Sequence, residues 1–506
     1  MVDNDVFELY KPFRNELRGY HIEDALSVCK AYSQALAFSL GLPPDVEPLQ
    51  NYNEFPKGIH NWELEIIARE VIINSPEYIQ TTKTLKKANN LARTISKLRQ
   101  LENGIAGKYS SQENVLRELQ RIAHRQFEYQ AQNPNSTLIY RYYKIFNTPE
   151  LNKLVKNTFG FDTHRLYFIG MLMTGTFINW FALHYPPNIE IPKQYNLTMD
   201  EVNKFLKHFS KPLDELRELL KGEERQLNEN YVYYFDSLMK FPIIKMKAQG
   251  RMSLVSPIPI LISWRFTKGV YYELCGKAGF DKAFGEAFQD YTGEALHNVF
   301  DGSNFEVSPE EPRGKHTLPS SDWYVSDKLS SIFIECKTWR MAMPAKLSLH
   351  SDDALNEQLD KLSSAVIQTY KAVQAFKDGR YKKPNFNFDP KKEVYPIVVT
   401  LESWYLFGKP IRMLSEIVEK KMKEANLPVE WLNEMPFIVC NISELEKLAQ
   451  LIKIRGSIKE VLSDKGKEEA KYWELYTYLH DKFKEDVSQI KPLFEEEFGT
   501  IFPRSI

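Results

Sequence analysis

Cysteine is scarce. Cys29, Cys275, Cys336 and Cys440 are the only four in 506 residues, they stand far apart, and none forms a Cys-x-x-Cys pair. Neither a disulfide framework nor a cysteine-built zinc site is expected, and a reducing, cytoplasmic setting is favoured. Net charge is almost absent too: a formal value of -1 leaves no chain-wide basic field, so contact with nucleic acid would have to come from local clusters of Lys and Arg. The ten histidines include no His-Glu-x-x-His spacing. The chain also lacks the G-x-x-x-x-G-K-S/T loop that cradles nucleotide phosphates and the G-x-S-x-G elbow of serine hydrolases. There is no internal repeat and no low-complexity segment. The first residues, MVDNDVFELYKPF, carry acidic groups at once and no apolar run behind a basic one, so a secretory signal is not expected.

Long apolar runs are nearly missing as well. The exception is Leu166 to Tyr185, LYFIGMLMTGTFINWFALHY, which has no charge over a length that would span a bilayer. It holds Thr174, Thr176, Asn179 and His184, lacks flanking basic clusters and stands alone, so it reads as a helix buried in a helical domain rather than a membrane span.

What remains is globular in composition, 43% hydrophobic and 26% charged, in a chain too long for one core. Residues 1–190 show apolar spacings of three and four, the helical period, and are expected to form an all-α amino-terminal domain. Its most basic stretch, Thr82 to Gln126, carries Lys83, Lys86, Lys87, Arg93, Lys97, Arg99, Lys108, Arg117, Arg121 and Arg125 against Glu102, Glu113 and Glu118. Such an excess either follows a phosphate backbone, with Lys83, Lys86, Lys87, Arg93 and Lys97 as the contacts, or marks a pair of solvated helices. The proline-rich Tyr185 to Thr198 is the best internal boundary. A connecting region of charged helices and irregular segments, 191–275, follows.

From there the pattern is helix, three strands, helix, strand, helix, strand, over 276–445. Phe284, Ala287, Phe288, Tyr291, Ala295 and Val299 form one helical stripe between Phe280 and Phe300, and a second long helix runs from about Asp353 to Asp378. This order implies a mixed α/β sheet with helices covering its faces. Residues 446–506 read as a charged helical extension.

The segment Ser320 to Arg340, SSDWYVSDKLSSIFIECKTWR, reads as a hairpin. Pairing about a turn between Lys328 and Leu329 sets Asp322 opposite Glu335 and Trp323 opposite Ile334. Side chains two apart share a face, so Asp322, Tyr324, Phe333, Glu335 and Lys337 take one side. Trp323, Val325, Ile332, Ile334 and Cys336 take the other. Opposed carboxylates repel, the more so when partly buried, and need a positive group between them. Lys337 supplies part of it. Mg²⁺ does so better, being a hard ion that takes carboxylate oxygens and keeps waters for a phosphate substrate, with the lysine orienting or helping to deprotonate the attacking water. That combination suits phosphodiester hydrolysis. Glu-x-Lys alone carries little, since it recurs at Glu419 and Glu469 in charged helical sequence; the strand context discriminates. The competing reading is a strand cap at Asp322 and a surface ion pair worth under about 1 kcal/mol.

In "SSDWYV" and "FIECKTW", preceded by "FGEAFQDYTGEAL" and followed by "VIQTYKAV", the chain resembles the PD-(D/E)XK nuclease superfamily over approximately Phe280 to Trp404. The resemblance implies a restriction-endonuclease-like core. It implies Asp322 and Glu335 as metal ligands joined by the Cys336 backbone carbonyl, Lys337 as catalytic lysine, and Mg²⁺ as the ion with Mn²⁺ as substitute. Gln368 fits the place where some members carry a glutamine on the following helix. Gln289 stands where many carry a glutamate, with Glu286 and Glu294 as nearby alternatives, and Ser321 replaces the name-giving proline. DNA is implied as substrate ahead of RNA. A prokaryotic restriction or antiviral defence role follows on the same footing, with an ATPase or helicase on another chain, and a homo-oligomer stays open. A catalytically silent scaffold within a larger complex is the alternative. His316, in the preceding loop, either approaches the site or is a solvated loop histidine, the commoner case for a lone one.

Overall fold

The protein is described here by a computed structural model that covers residues 3–54, 57–130, 136–187, 196–222, 227–234, 237–300, 302, 304–309, 319–380, 389 and 391–502. The chain folds as two compact units: Met1–Ser111 with Arg125–Phe280 and Glu496–Ile506, and Gln112–His124 with Asp281–Glu495.

The first unit is mostly helical; among its described residues the stretch 1–190, expected to be all-α, holds one short strand, and the connecting region 191–275, expected to be charged helices and irregular segments, holds three. They form a four-stranded sheet in the order β1-β4-β3-β2, with β1 at Ala182–His184, β2 at Ser210–Pro212, β3 at Ile243–Ala248 and β4 at Arg251–Val255. Two of these strands are three residues long, too short for a period-two pattern to register. The β3–β4 turn places Gln249 and Gly250 at φ 53° and 79°, the left-handed pair that a tight hairpin turn requires. Of the uncharged run Leu166 to Tyr185, only the part to Asn179 is helical, within the helix Thr163–Asn179, whose Leu166, Tyr167, Ile169, Met173 and Phe177 are fully buried; Trp180 is exposed and Ala182–His184 is β1. Gly170 lets the Phe266 ring lie against that helix, since a Cβ there would stand 2.3 Å from the ring. Among the described residues, no helix is long and apolar enough to cross a membrane.

Charge in the first unit is matched locally. Glu16, buried, takes Lys83 at 2.8 Å, Arg93 at 3.0 Å and Lys97 at 2.9 Å. Lys86 meets Asp45 at 2.7 Å, Lys87 meets Glu47 at 2.5 Å, and Arg99 meets Glu63 at 2.6 Å. Each of the five cations expected to follow a phosphate backbone therefore has a carboxylate beside it.

The second unit is built on a mixed sheet in the order β5-β6-β7-β8-β9: β5 at Glu306–Pro309, β6 at Trp323–Ser326, β7 at Ser330–Lys337, β8 at Glu393–Thr400 and β9 at Ile438–Asn441. β5, β6 and β7 pair antiparallel, while β7, β8 and β9 pair parallel. Parallel neighbours need a crossover, and the helix Asp353–Lys377 provides the one from β7 to β8. Its Leu359, Leu362, Val366, Tyr370, Val373 and Phe376 share a core with Tyr324 and Phe333 of the hairpin. Rings of Tyr324, Phe333 and Phe376 meet edge to face, with centroids 5.1 to 5.2 Å apart, a favoured aromatic arrangement.

The opposite face of the hairpin meets the helix Phe280–Val299, whose six stripe residues are all buried. Trp323 presses on this helix at Gly293, where a Cβ would fall 1.9 Å from the indole. Residues after Asn441 also belong to this unit as far as Glu495, beginning with the helix Ile442–Arg455. The segment Gln112–His124 does as well; in sequence it is continuous with the amino-terminal helical pattern.

Candidate active site

The hairpin closes in the register its sequence implies. Trp323 pairs with Ile334, Tyr324 with Phe333, Val325 with Ile332 and Ser326 with Ser331. Continuing that ladder by one residue sets Asp322 across from Glu335. Asp327, the other acidic residue of the hairpin, is a turn group: its Oδ1 accepts the Leu329 and Ser330 N–H at 2.8 and 2.7 Å, and its Oδ2 accepts the Ile458 N–H at 2.7 Å. Backbone donors thus hold both of its oxygens, as expected of an aspartate that closes a turn.

Asp322 stands just before β6, and its Oδ2 accepts the Cys336 N–H at 2.7 Å. This bond ties the open end of the hairpin together. Glu335 is only 1% exposed, inside an apolar run, and its Oε1 accepts from the Lys337 ammonium at 2.6 Å. Lys337 Nζ also lies 3.4 Å from Gln368 Oε1 on the Asp353–Lys377 helix and 5.5 Å from the centre of the Trp339 ring. Lys337 keeps 19% of its side chain exposed, so it reaches both the buried carboxylate and solvent. A solvated surface pair does not have this geometry; one of its partners is inside the protein.

Cys336 points to the other face. Burial first, and then the charges of Asp322 and Glu335, push its thiol well above the ordinary range, so it remains neutral. The site therefore offers oxygens rather than a thiolate. Among the described residues, no group of three or more His, Cys, Asp and Glu side chains is placed to hold a metal ion. The donors at hand are the Asp322 and Glu335 carboxylates, with the Cys336 carbonyl expected beside them. Such a set fits a hard, water-retaining cation and does not suit a soft metal.

Gln289 touches the hairpin through its backbone: its carbonyl accepts the Trp323 indole N–H at 2.9 Å, and the residue is half-buried. Glu286 is exposed, 3.7 Å from Lys282, and Glu294 is half-buried. Ser321 donates its N–H to the Tyr324 hydroxyl at 2.9 Å. His316 lies outside the described residues. Glu419, in the second Glu-x-Lys, is on the helix Lys409–Glu424 and pairs with Lys423 at 2.6 Å.

Sequence reasoning missed Trp339 and Trp404. Trp339, two residues past Lys337, is 39% exposed. Trp404 is buried after β8, and its indole N–H donates to the Trp339 carbonyl at 3.2 Å. Each closes a loop at the carboxyl end of a parallel strand, where open α/β sheets bind ligands. That position is the signal that would have singled them out.

No protein-family model and no curated protein matches the chain. A solved structure of the small subunit of a heterodimeric restriction endonuclease aligns with 46% of this chain and 94% of its own, at 14% identity and a TM-score of 0.20. A superposition this loose carries no argument about fold or activity.

Proposed function

We propose that the protein is a metal-dependent nuclease that hydrolyses phosphodiester bonds, with DNA as the substrate class. The observation that supports this reading is the contact of Lys337 with Glu335 and Gln368, with the Asp322 carboxylate held by the neighbouring Cys336 N–H at the same end of the hairpin. Asp322 and Glu335 would hold Mg²⁺, with the Cys336 carbonyl as a third oxygen. When bound, the ion supplies positive charge to the phosphate and lowers the pKa of a water. Lys337, anchored between Glu335 and Gln368, orients the attacking water at the phosphorus and takes part in moving its proton. Gln368 fixes the lysine so that the ammonium is in place before substrate arrives. Attack forms one P–O bond and breaks another, leaving a phosphate monoester and a hydroxyl.

The preference for DNA, a role in prokaryotic restriction or antiviral defence, and an ATPase or helicase on a partner chain rest on the PD-(D/E)XK resemblance alone. The first unit's paired lysines and arginines add nothing to them. A silent scaffold is the second reading, favoured by the small donor set at the hairpin and by Gln289 in place of a glutamate.

Cleavage of supercoiled plasmid, linear DNA and RNA, with Mg²⁺, Mn²⁺ or EDTA, tests the proposal. The wild type is expected to cut DNA only with metal, and Glu335→Ala and Lys337→Ala to lose cutting. Full activity in both variants removes the site assignment. Equal inactivity of all three proteins supports the scaffold.

A further inference from the structure

The second unit recruits Gln112–His124, a piece of chain some two hundred residues before the hairpin. It forms the first part of the helix Val115–Gln130, and its polar side chains are buried rather than solvated. Arg117 is 2% exposed and Gln120 is fully buried. The Arg117 guanidinium donates to the Ala345 carbonyl at 2.7 Å and the Ser348 carbonyl at 2.9 Å, and to the Gln120 side-chain oxygen. Gln120 Nε2 in turn donates to the Trp404 carbonyl at 3.2 Å. Trp404 donates its indole N–H to the Trp339 carbonyl at 3.2 Å, and the Trp339 ring lies beside the Lys337 ammonium.

We infer that Gln120 and Trp404 are positioning residues for Lys337: a hydrogen-bonded line from the inserted helix fixes the loops after β8 and β7, and through Trp339 fixes the lysine. The inference rests on the reading of Lys337 as a working group of a nuclease. Its physical basis is that a buried amide or indole N–H gives up a costly bond if it moves, so the loops have one favoured place. A second tie joins the same two loops, the Arg340–Glu402 pair at 3.2 Å. A lysine on a flexible four-carbon stem needs such support to hold one orientation.

Gln120→Met keeps the volume and removes the donor; Trp404→Phe keeps the aromatic ring and removes a single N–H. Two readouts separate the inference from the nuclease reading. The first is labelling of Lys337 by an amine-reactive probe, followed by peptide mapping. Both variants are expected to label Lys337 several-fold faster, with Lys361, exposed on the Asp353–Lys377 helix, unchanged. The second is steady-state cleavage, where kcat is expected to fall about tenfold at constant KM. The double variant is expected to be no worse than either single one, because the bonds act in series. Unchanged Lys337 labelling in both variants, or losses that multiply in the double variant, overturns the inference while leaving the nuclease reading intact. Full cleavage by Lys337→Ala removes Lys337 from the site assignment, and labelling still reports on positioning. If Gln120→Met fails to fold, Trp404→Phe decides alone.

Discussion

Two buried glutamates, one in each unit, show how differently the same ion-pair chemistry is used. Glu16 gathers Lys83, Arg93 and Lys97, and the Tyr20 hydroxyl donates to it at 2.5 Å. Burial would raise its pKa, but the hydrogen bonds from Lys83, Tyr20, Lys97 and Arg93 outweigh it and hold the carboxyl at about 2. Glu335 sits on a strand beside Lys337, across the ladder from a second carboxylate, at the end of a sheet. The first arrangement locks helices together. The second joins a buried carboxylate to an ammonium that still reaches solvent, with the Asp322 carboxylate held by the adjacent Cys336 N–H. A conspicuous excess of one charge in sequence says little about function; what decides is which groups the fold sets beside it.

The comparison breaks first at activity. Asp322→Asn and Glu335→Gln are expected to lower cleavage by at least about a hundredfold, whereas Glu16→Gln should leave the rate per folded molecule unchanged. Urea unfolding should show the reverse: Glu16→Gln is expected to cost about 2 kcal/mol, because three cations and a buried hydroxyl lose a charged acceptor. Packing under the hairpin gives an effect of similar or smaller size. Gly293→Ala drives a methyl into the Trp323 indole and should destabilise by about 1 to 3 kcal/mol, while Gly285→Ala on the same helix meets nothing within 4 Å and should be neutral or better in the same titration.

The pH dependence sharpens the contrast. The folded Glu16 carboxyl titrates at about 2 against an ordinary 4.5, so between those values the unfolded chain binds more protons. Its contribution to stability is complete above about pH 4.5 and is lost as pH falls toward 2. Acid titration followed by circular dichroism is expected to give a shallower slope over that window in Glu16→Gln than in wild type. Smallest of all is Lys87→Ala: with both partners of the Lys87–Glu47 pair about half exposed, stability should change by under about 0.5 kcal/mol.

The second unit was the more legible of the two because its signals are local. The apolar stripe from Phe284 to Val299 announces itself by period and the strand at Glu393–Thr400 by its continuous apolar run, and the hairpin's turn fixes its register without long-range information. The first unit's sheet was hidden because two of its strands are three residues long and pair with segments far away in sequence. The roles of Arg117 and Gln120 were equally hidden. In sequence they belong to a basic helical stretch; only the fold buries them against the carbonyls of Ala345, Ser348 and Trp404. Gln368 was singled out only through the resemblance, because its nearness to Lys337 depends on a crossover helix whose rotation the sequence leaves free.

The proposed nuclease requires Asp322 and Glu335 to hold one divalent ion. Titration of Mn²⁺ followed by electron paramagnetic resonance measures that directly. The expected result is a Mn²⁺ site in the wild type that disappears in Asp322→Asn combined with Glu335→Gln and survives in Glu16→Gln. Retention of the same Mn²⁺ binding by the Asp322→Asn, Glu335→Gln double variant, or no binding by any of the three proteins, would contradict it.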